Sequence, residues 1–271
     1  MRAAAAVAVA LTATSPGASG VRYLQSHQLA SGGFSEPGQA ADPQLTAWAT
    51  LGIRAAEEKP GASTARYLEQ HEAELSSATD LALVAMAEAA LGQAPERALA
   101  RLRALERPNG SVGRLVNGSA WAVLAFRASG RPVDRATVRW LLGRQAPGGC
   151  WGWTRGAVDS NDTAAVVQAL RSVNVRGRPI RRALRCLASY RRGDGGFELV
   201  RGRGSDAQST AWAVQAFVAA GKAPPRGALA YLRRLQRSDG SYRYSRRYVA
   251  TPVWVTAQVL PALARKPFPL R

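Results

Sequence analysis

Four stretches of this sequence superpose on one another: VRYLQSHQLASGGF from Val21, VRWLLGRQAPGGCW from Val138, LRCLASYRRGDGGF from Leu184 and LAYLRRLQRSDGSY from Leu229. Each is an amphipathic run with apolar residues at helical spacing, then a glycine-centred turn, then an aromatic. A weaker copy, LARLRALERPNGSV, begins at Leu99, and ARYLEQHEAELSS, from Ala65, has lost the turn. A repeat of this length constrains the chain more than any local propensity does. Each unit must bury its apolar face against its neighbours, so one unit's geometry sets the whole architecture.

After each copy comes a second stretch that is apolar on nearly every side, as in STAWAVQAFVAAG from Ser209. Anchored on equivalent residues, these stretches start at Thr46, Thr79, Ser119, Thr163, Thr210 and Val253. The first member of each pair keeps a wet face, and the second has none. Six all-buried helices ringed by six amphipathic ones make an all-α (α/α)6 toroid of twelve helices, inner ring apolar and outer ring amphipathic. Short links between helices argue against a sheet. An open solenoid would need polar capping repeats at its ends. The sixth pair is as apolar as the rest, so a closed ring fits better.

The 271 residues, 46% of them apolar, are enough for one sizeable core. The net charge of +19 is uneven. Residues 21–96 carry 10 acidic and 4 basic side chains, whereas 97–271 carry 8 and 32. A face so basic could meet an anionic membrane or cell-wall polymer, or could reflect an arginine-rich composition. Nucleic acid is excluded as a partner, since no arginine-rich segment is interleaved with aromatic stacking residues.

Residues 1–20 read as a leader for export, with one arginine, an Ala/Val/Leu stretch and a Pro/Gly/Ser break. A cytoplasmic protein with a ragged start is the alternative. The toroid is then expected over 21–264, with 265–271 as a tail. Cys150 falls in a turn and Cys186 near the start of the next equivalent helix, roughly a helix length apart, so two free thiols are expected. His27 and His71 sit in early outer helices without neighbouring ligands and read as surface residues. No metal and no cofactor is expected.

The repeat resembles the one shared by terpene cyclases and protein prenyltransferase beta subunits. Its marks are a Gln ahead of a Gly and then an aromatic: Gln28, Gly33, Phe34; Gln145, Gly149, Trp151; Gln236, Gly240, Tyr242. The fifth copy keeps Gly196 and Phe197 without the Gln. The resemblance runs from about Val21 to Leu263 and implies the α/α toroid, which hosts cyclases, lipid transferases and carriers alike. Cyclases that protonate a polyene carry Asp-x-Asp-Asp-Thr-Ala, and this chain has Asp159-Ser160-Asn161-Asp162-Thr163-Ala164. The middle aspartate, the family's proton donor, is Asn161 here, and an amide supplies no acidic proton. The zinc ligands of the prenyltransferases are missing.

Asp159 shares its place ahead of a buried helix with Asp42 and Asp206 and reads as a helix cap. Asp162 carries a charge where the equivalent positions, read as Leu45, Ala78, Gly118, Ser209 and Pro252, carry none. It is the best candidate for a catalytic residue, with Asp159 in support. Trp48, Trp121 and Trp212 share one position in the buried helices, with Trp254 offset by one. They either pack the core or line a lumen for an apolar, isoprenoid-like ligand. Gln168, Gln215 and Gln258 recur five residues after their anchors and, being buried, need partners. We therefore expect an exported toroid that binds an apolar ligand or a partner without the full catalytic set. The alternatives are a cyclase using Asp162 with Asp159, and a protein-binding module using a basic rim.

Overall fold

The computed structural model describes residues 17–153 and 156–270. The outer helices are α1 (Ala18–Ser26), α3 (Thr64–His71), α5 (Glu96–Ala104), α7 (Arg135–Gly143), α9 (Arg178–Ala188) and α11 (Ala228–Arg234). The inner helices are α2 (Pro43–Ala55), α4 (Ala78–Ala90), α6 (Val116–Ala128), α8 (Ser160–Ser172), α10 (Ala207–Ala219) and α12 (Pro252–Leu263). Each inner helix packs on the next, and α12 returns to α2, so the ring is closed. The expected twelve-helix toroid is the fold. Among the described residues, sheet is limited to isolated bridges and to two-residue ladders, β1 (Trp151–Gly152) with β2 (Val158–Asp159) and β3 (Phe197–Glu198) with β4 (Ser205–Asp206). They tighten hairpins that were expected to be turns alone.

All six inner helices are entered from the same end, because each follows an outer helix running the other way and, in every pair but the second, a hairpin. That end, the N-terminal mouth, is organised by a repeated bond. A backbone N–H in the hairpin donates to a hydroxyl in the following helix. The pairs are Phe34 to Thr46 (2.8 Å), Val112 to Ser119 (2.9 Å), Trp151 to Thr163 (3.0 Å), Phe197 to Thr210 (2.9 Å) and Tyr242 to Thr256 (3.0 Å). The sixth anchor is therefore Thr256 and not Val253. In α4, which has no hairpin, the fourth helical residue, equivalent to Thr46 in α2, is Leu81 and not Thr79.

The glycine of the repeat does two things at once. Gly32, Gly110, Gly149, Gly195 and Gly240 all have φ between 90° and 97°, where a side chain is strained. A Cβ at each would also lie 2.4–2.8 Å from backbone of the next outer helix's first turn. The invariant glycine is thus Gly32 in the first copy and Gly195 in the fifth, one residue before those the alignment marks. The Gln four residues ahead ties the turn to the same neighbour. Gln28 Nε2 donates to Gly32 O (3.0 Å) and to Thr64 Oγ1 (2.6 Å); Gln145 Nε2 donates to Gly149 O (2.8 Å) and to Pro179 O (2.9 Å). Where the Gln is absent, Arg191 reaches Arg226 O (3.3 Å) instead.

The seam between the sixth and first pairs uses the same devices. Gln236 Nε2 donates to Ser19 Oγ (2.8 Å). Gly52 in α2 lets α12 approach until an added Cβ would stand 2.6 Å from Ala257 O. The buried carboxylate of Glu36 accepts from Val253 N (3.0 Å) and Trp254 N (2.9 Å) and so caps α12, whose own cap residue, Thr251, makes no side-chain bond. Ala18, Ser19 and Gly20 are therefore inside α1 and part of the ring, so the toroid starts ahead of the expected boundary at Val21. The remainder of the expected leader, residues 1–16, lies outside the described residues.

Two further expectations are corrected. Cys150 and Cys186 form a disulfide, Cα–Cα 5.6 Å. The sequence reading put Cys186 at the start of its helix. In fact α9 runs from Arg178 to Ala188, so Cys186 is in its last turn, at the same end of the ring as Cys150. His27 and His71 are half-buried rather than on the open surface, each packed against the tyrosine four residues earlier, His71 stacked on Tyr67 and His27 tilted against Tyr23.

Replacing Glu36 with Ala leaves two helix N–H groups buried without an acceptor and is expected to cost about 3 kcal/mol, measured by urea denaturation. Cys150→Ser is expected to cost roughly 2–4 kcal/mol through the freed loop, in the same assay without reductant.

Candidate functional site on the ring axis

The candidate site is the axis of the ring, below the N-terminal mouth. Its rim is set by the second and third residues of the inner helices. The second residue is uncharged and polar in five consecutive inner helices: Gln44, Thr79, Asn117, Asn161 and Gln208. Asn161 is thus one of a circle of neutral side chains at the place where the cyclase motif puts its acid. The third residue is Asp80 in α4 and Asp162 in α8. Asp162 is not the sole charge at its position, as the misplaced anchor in α4 implied. The missed signal was the spacing Ser77-x-x-Asp80, in which Ser77 Oγ accepts from Asp80 N (3.1 Å) and donates to Asp80 Oδ2 (2.7 Å).

These residues link neighbouring helices. Gln44 Nε2 donates to Asp80, Thr79 Oγ1 to Asn117 Oδ1 (2.9 Å) and Asn117 Nδ2 to Asp162 Oδ1 (2.9 Å). Asp159 caps α8, its Oδ1 accepting from Asp162 N (2.7 Å). Asp42 and Asp206 cap α2 and α10 in the same way. Burial pushes the Asp159 carboxyl up to about 7, helped by the neighbouring Asp162. It also raises Asp162, against the Asn117 amide that favours its charged form. Asp159, half-buried, and Asp162, buried, thus sit side by side at the mouth, and burial raises the pKa of each.

Midway down the axis lies an aromatic layer. Trp48, Trp121 and Trp212 converge from alternate inner helices, with ring centroids 5.3, 5.4 and 6.0 Å apart. The same register position is held by Leu83 in α4, Ala165 in α8 and, once the sixth anchor is corrected, Gln258 in α12. Large and small residues alternate, which is how six helices can share one axis without overlap. Gln258 Oε1 accepts from Trp212 Nε1 (3.1 Å). Among the described residues, the buried Trp121 Nε1 and Gln258 Nε2 have no partner. Trp254 stands apart from this cluster, near the start of α12, where its N–H donates to Glu36.

From the far end the chain's own tail closes the axis. Phe268 is buried, 5.8 Å from Trp121 and 6.2 Å from Trp48. Gln168 Oε1 accepts from Phe268 N (2.8 Å), Gln215 Nε2 donates to Lys266 O (3.2 Å), and Lys266 Nζ pairs with Glu57 (2.7 Å). Gln168 and Gln215 therefore hold the tail. Residues 265–270 are part of the packed ring and not an appendage.

A carboxyl that holds its proton more tightly folded than unfolded stabilises the fold at low pH, and that stability is lost as pH rises through the folded pKa. Asp159 (from 3.8 to about 7), Asp206 (to about 6) and Glu88 (from 4.5 to about 7) all act in this direction. Stability should therefore fall between about pH 4 and pH 7. Asp159→Asn, which keeps a capping oxygen, is expected to shallow that fall, read as the urea midpoint across the range.

No protein-family profile matches the chain. A drimenyl diphosphate synthase of Streptomyces showdoensis is 37% identical over 165 residues, covering 52% of this chain and 30% of that enzyme. The chain thus spans under a third of the length of this curated relative. The apo type II terpene cyclase MstE from Scytonema superposes with a TM-score of 0.68 at 17% identity, covering 91% of this chain and 95% of that one. A variant of the same cyclase has been solved with geranylgeranyl dihydroxybenzoate as substrate. An inactive alpha-1,6-mannanase variant from Salegentibacter gives a TM-score of 0.66 at 10% identity, covering 91% of this chain and 98% of that one. At such identities the structural likeness is one of fold, and the fold is the terpene cyclase-like α/α toroid.

Proposed function

We propose that this toroid binds an apolar, isoprenoid-like ligand on its axis and does not itself protonate it. The observation that carries this reading is the aromatic layer. Three indoles from alternate helices pack against one another, two of the pairs edge-to-face, below a rim that has an amide, Asn161, at the donor position. Indole faces suit polyene chains and any cationic character in them. Trp121 Nε1 and Gln258 Nε2, both without a partner among the described residues, could each donate to an oxygen on such a ligand. Phe268 fills part of the same axis, so a ligand takes its place against Trp48 and Trp121 by displacing the tail. The Cys150–Cys186 bond supports the export reading, since such bonds persist in oxidising compartments.

A second reading, cyclisation with Asp162 as the acid and Asp159 beside it, is favoured by one observation. The two carboxyls are neighbours at the mouth of the axis, Asp159 Oδ1 accepting from Asp162 N (2.7 Å), and burial raises both. It lacks the acid at position 161, and Asp162 already links two helices through Asn117.

The test is titration with farnesol and geranylgeraniol, followed by tryptophan emission and by gas chromatography of the extract. Saturable quenching with recovery of the unchanged alcohol is expected. Phe268→Ala should tighten binding by up to about tenfold, since it removes a side chain from the ligand's space. A cyclised product that disappears in Asp162→Asn would establish the second reading. No quenching in wild type and in Phe268→Ala alike would reject ligand binding.

A further inference from the structure

The exposed large apolar side chains of the described residues are Leu29, Leu115, Trp153, Val200, Tyr248 and Val249, between 42% and 63% accessible. All six belong to the connections that enter inner helices. Leu29 lies in the turn after α1 and Leu115 immediately before α6. Trp153 lies between β1 and β2, Val200 between β3 and β4, and Tyr248 with Val249 in the loop before α12. Since every inner helix is entered from the same end, these side chains share the N-terminal mouth. The opposite end, where inner helices pass to outer ones, has none among the described residues. A one-sided distribution like this is not the scatter of single apolar residues normal on a soluble surface.

Arginines stand next to them in the sequence and are exposed with them: Arg114 beside Leu115, Arg201 beside Val200, and Arg246 and Arg247 beside Tyr248. Beside Tyr248 a cleft of about 710 Å³ is lined by Arg192, Arg203, Arg246, Arg247, Tyr231 and Tyr244. The two carboxylates in it already accept hydrogen bonds and are outnumbered by the four arginines, one of which, Arg192, also pairs with Glu198 (3.6 Å). Asp206 caps α10, and Asp194 accepts from Ser205 Oγ (2.8 Å) and Gly196 N (3.0 Å). The cleft therefore presents cationic donors to an anion.

We infer that the N-terminal mouth docks on an anionic lipid bilayer, with Trp153, Tyr248 and Val249 entering the headgroup layer and Arg246 and Arg247 meeting its phosphates. Aromatic and aliphatic tips interleaved with arginine match the chemistry of that layer, apolar below and anionic above. A protein partner would be met by a patch with less charge at its centre, and a soluble polyanion would leave the apolar tips without a role. No described helix is long and apolar enough to cross a membrane, so contact is at the surface. The inference does not depend on the isoprenoid reading, because it is tested without any such ligand.

The full chain is sedimented with vesicles of phosphatidylcholine alone and of phosphatidylcholine mixed with phosphatidylglycerol, at low and high salt. Binding to the anionic vesicles only, weakened by salt, is expected. Arg246→Glu with Arg247→Glu should weaken it more than tenfold, at roughly fivefold per arginine removed. The triple variant Trp153→Ser, Tyr248→Ser, Val249→Ser should weaken it roughly tenfold or more without changing the thermal melt, since all three side chains are exposed. Absence of vesicle binding, including the case where heparin is bound instead, overturns the inference. So does failure of either variant to weaken binding.

Discussion

A closed ring has no terminal repeat to cap, but it has one seam, and the rest of the structure depends on that seam being made. Here the last inner helix, α12, begins at a proline after a residue that gives it no side-chain cap. Its first N–H groups are satisfied from the other end of the chain by Glu36, which lies in the first hairpin. A carboxylate at a helix N-terminus is favoured by both the free N–H groups and the helix dipole. The same contact carries the packing of α12 on α2, where Gly52 gives the room. Without it the sixth pair would expose an apolar face that the composition of its helix cannot solvate.

Closure also explains the other hairpins. Leu199 O accepts from Ser160 N (3.0 Å) and Tyr244 O accepts from Ala207 N (2.7 Å). The hairpin of one repeat therefore leans over the inner helix of the previous one, as Glu36 does across the seam. The N-terminal mouth is a continuous circuit of backbone and carboxylate acceptors, which leaves little of its polar chemistry free. Asp159, Asp206, Asp42 and Asp80 are each committed to a helix start. On the axis, by contrast, the indole Nε1 of Trp121 and the amide Nε2 of Gln258 have no partner among the described residues.

The two ends of the axis are built differently. At the mouth, polar side chains link α2 to α4 and α4 through α6 to α8. At the far end, buried glutamines grip the backbone of the tail and hold Phe268 against the tryptophans. Buried amides are stable only when bonded, and Gln168 and Gln215 find in the tail backbone what apolar neighbours cannot give them. The volume of the axis is thereby set by residues 265–270 as much as by the ring.

The six pairs, the assignment of inner and outer helices, and the capping aspartates are legible along the chain. These follow from periodicity and from short-range bonds, which neighbouring residues decide. The sequence also marked Trp48, Trp121 and Trp212 as equivalent. The tertiary structure decided what depends on register between distant segments. Thr256 and Leu81 replace Val253 and Thr79 as anchors because a helix start cannot be fixed to within two or three residues where the hairpin is altered or lost. That shift placed Asp80 beside the position of Asp162 and moved Gln258 into the tryptophan layer. Cys186 met Cys150 because α9 starts earlier than its pattern indicated. The roles of Glu36 and Phe268 rest on contacts between opposite ends of the chain, and no local pattern in the sequence records those contacts.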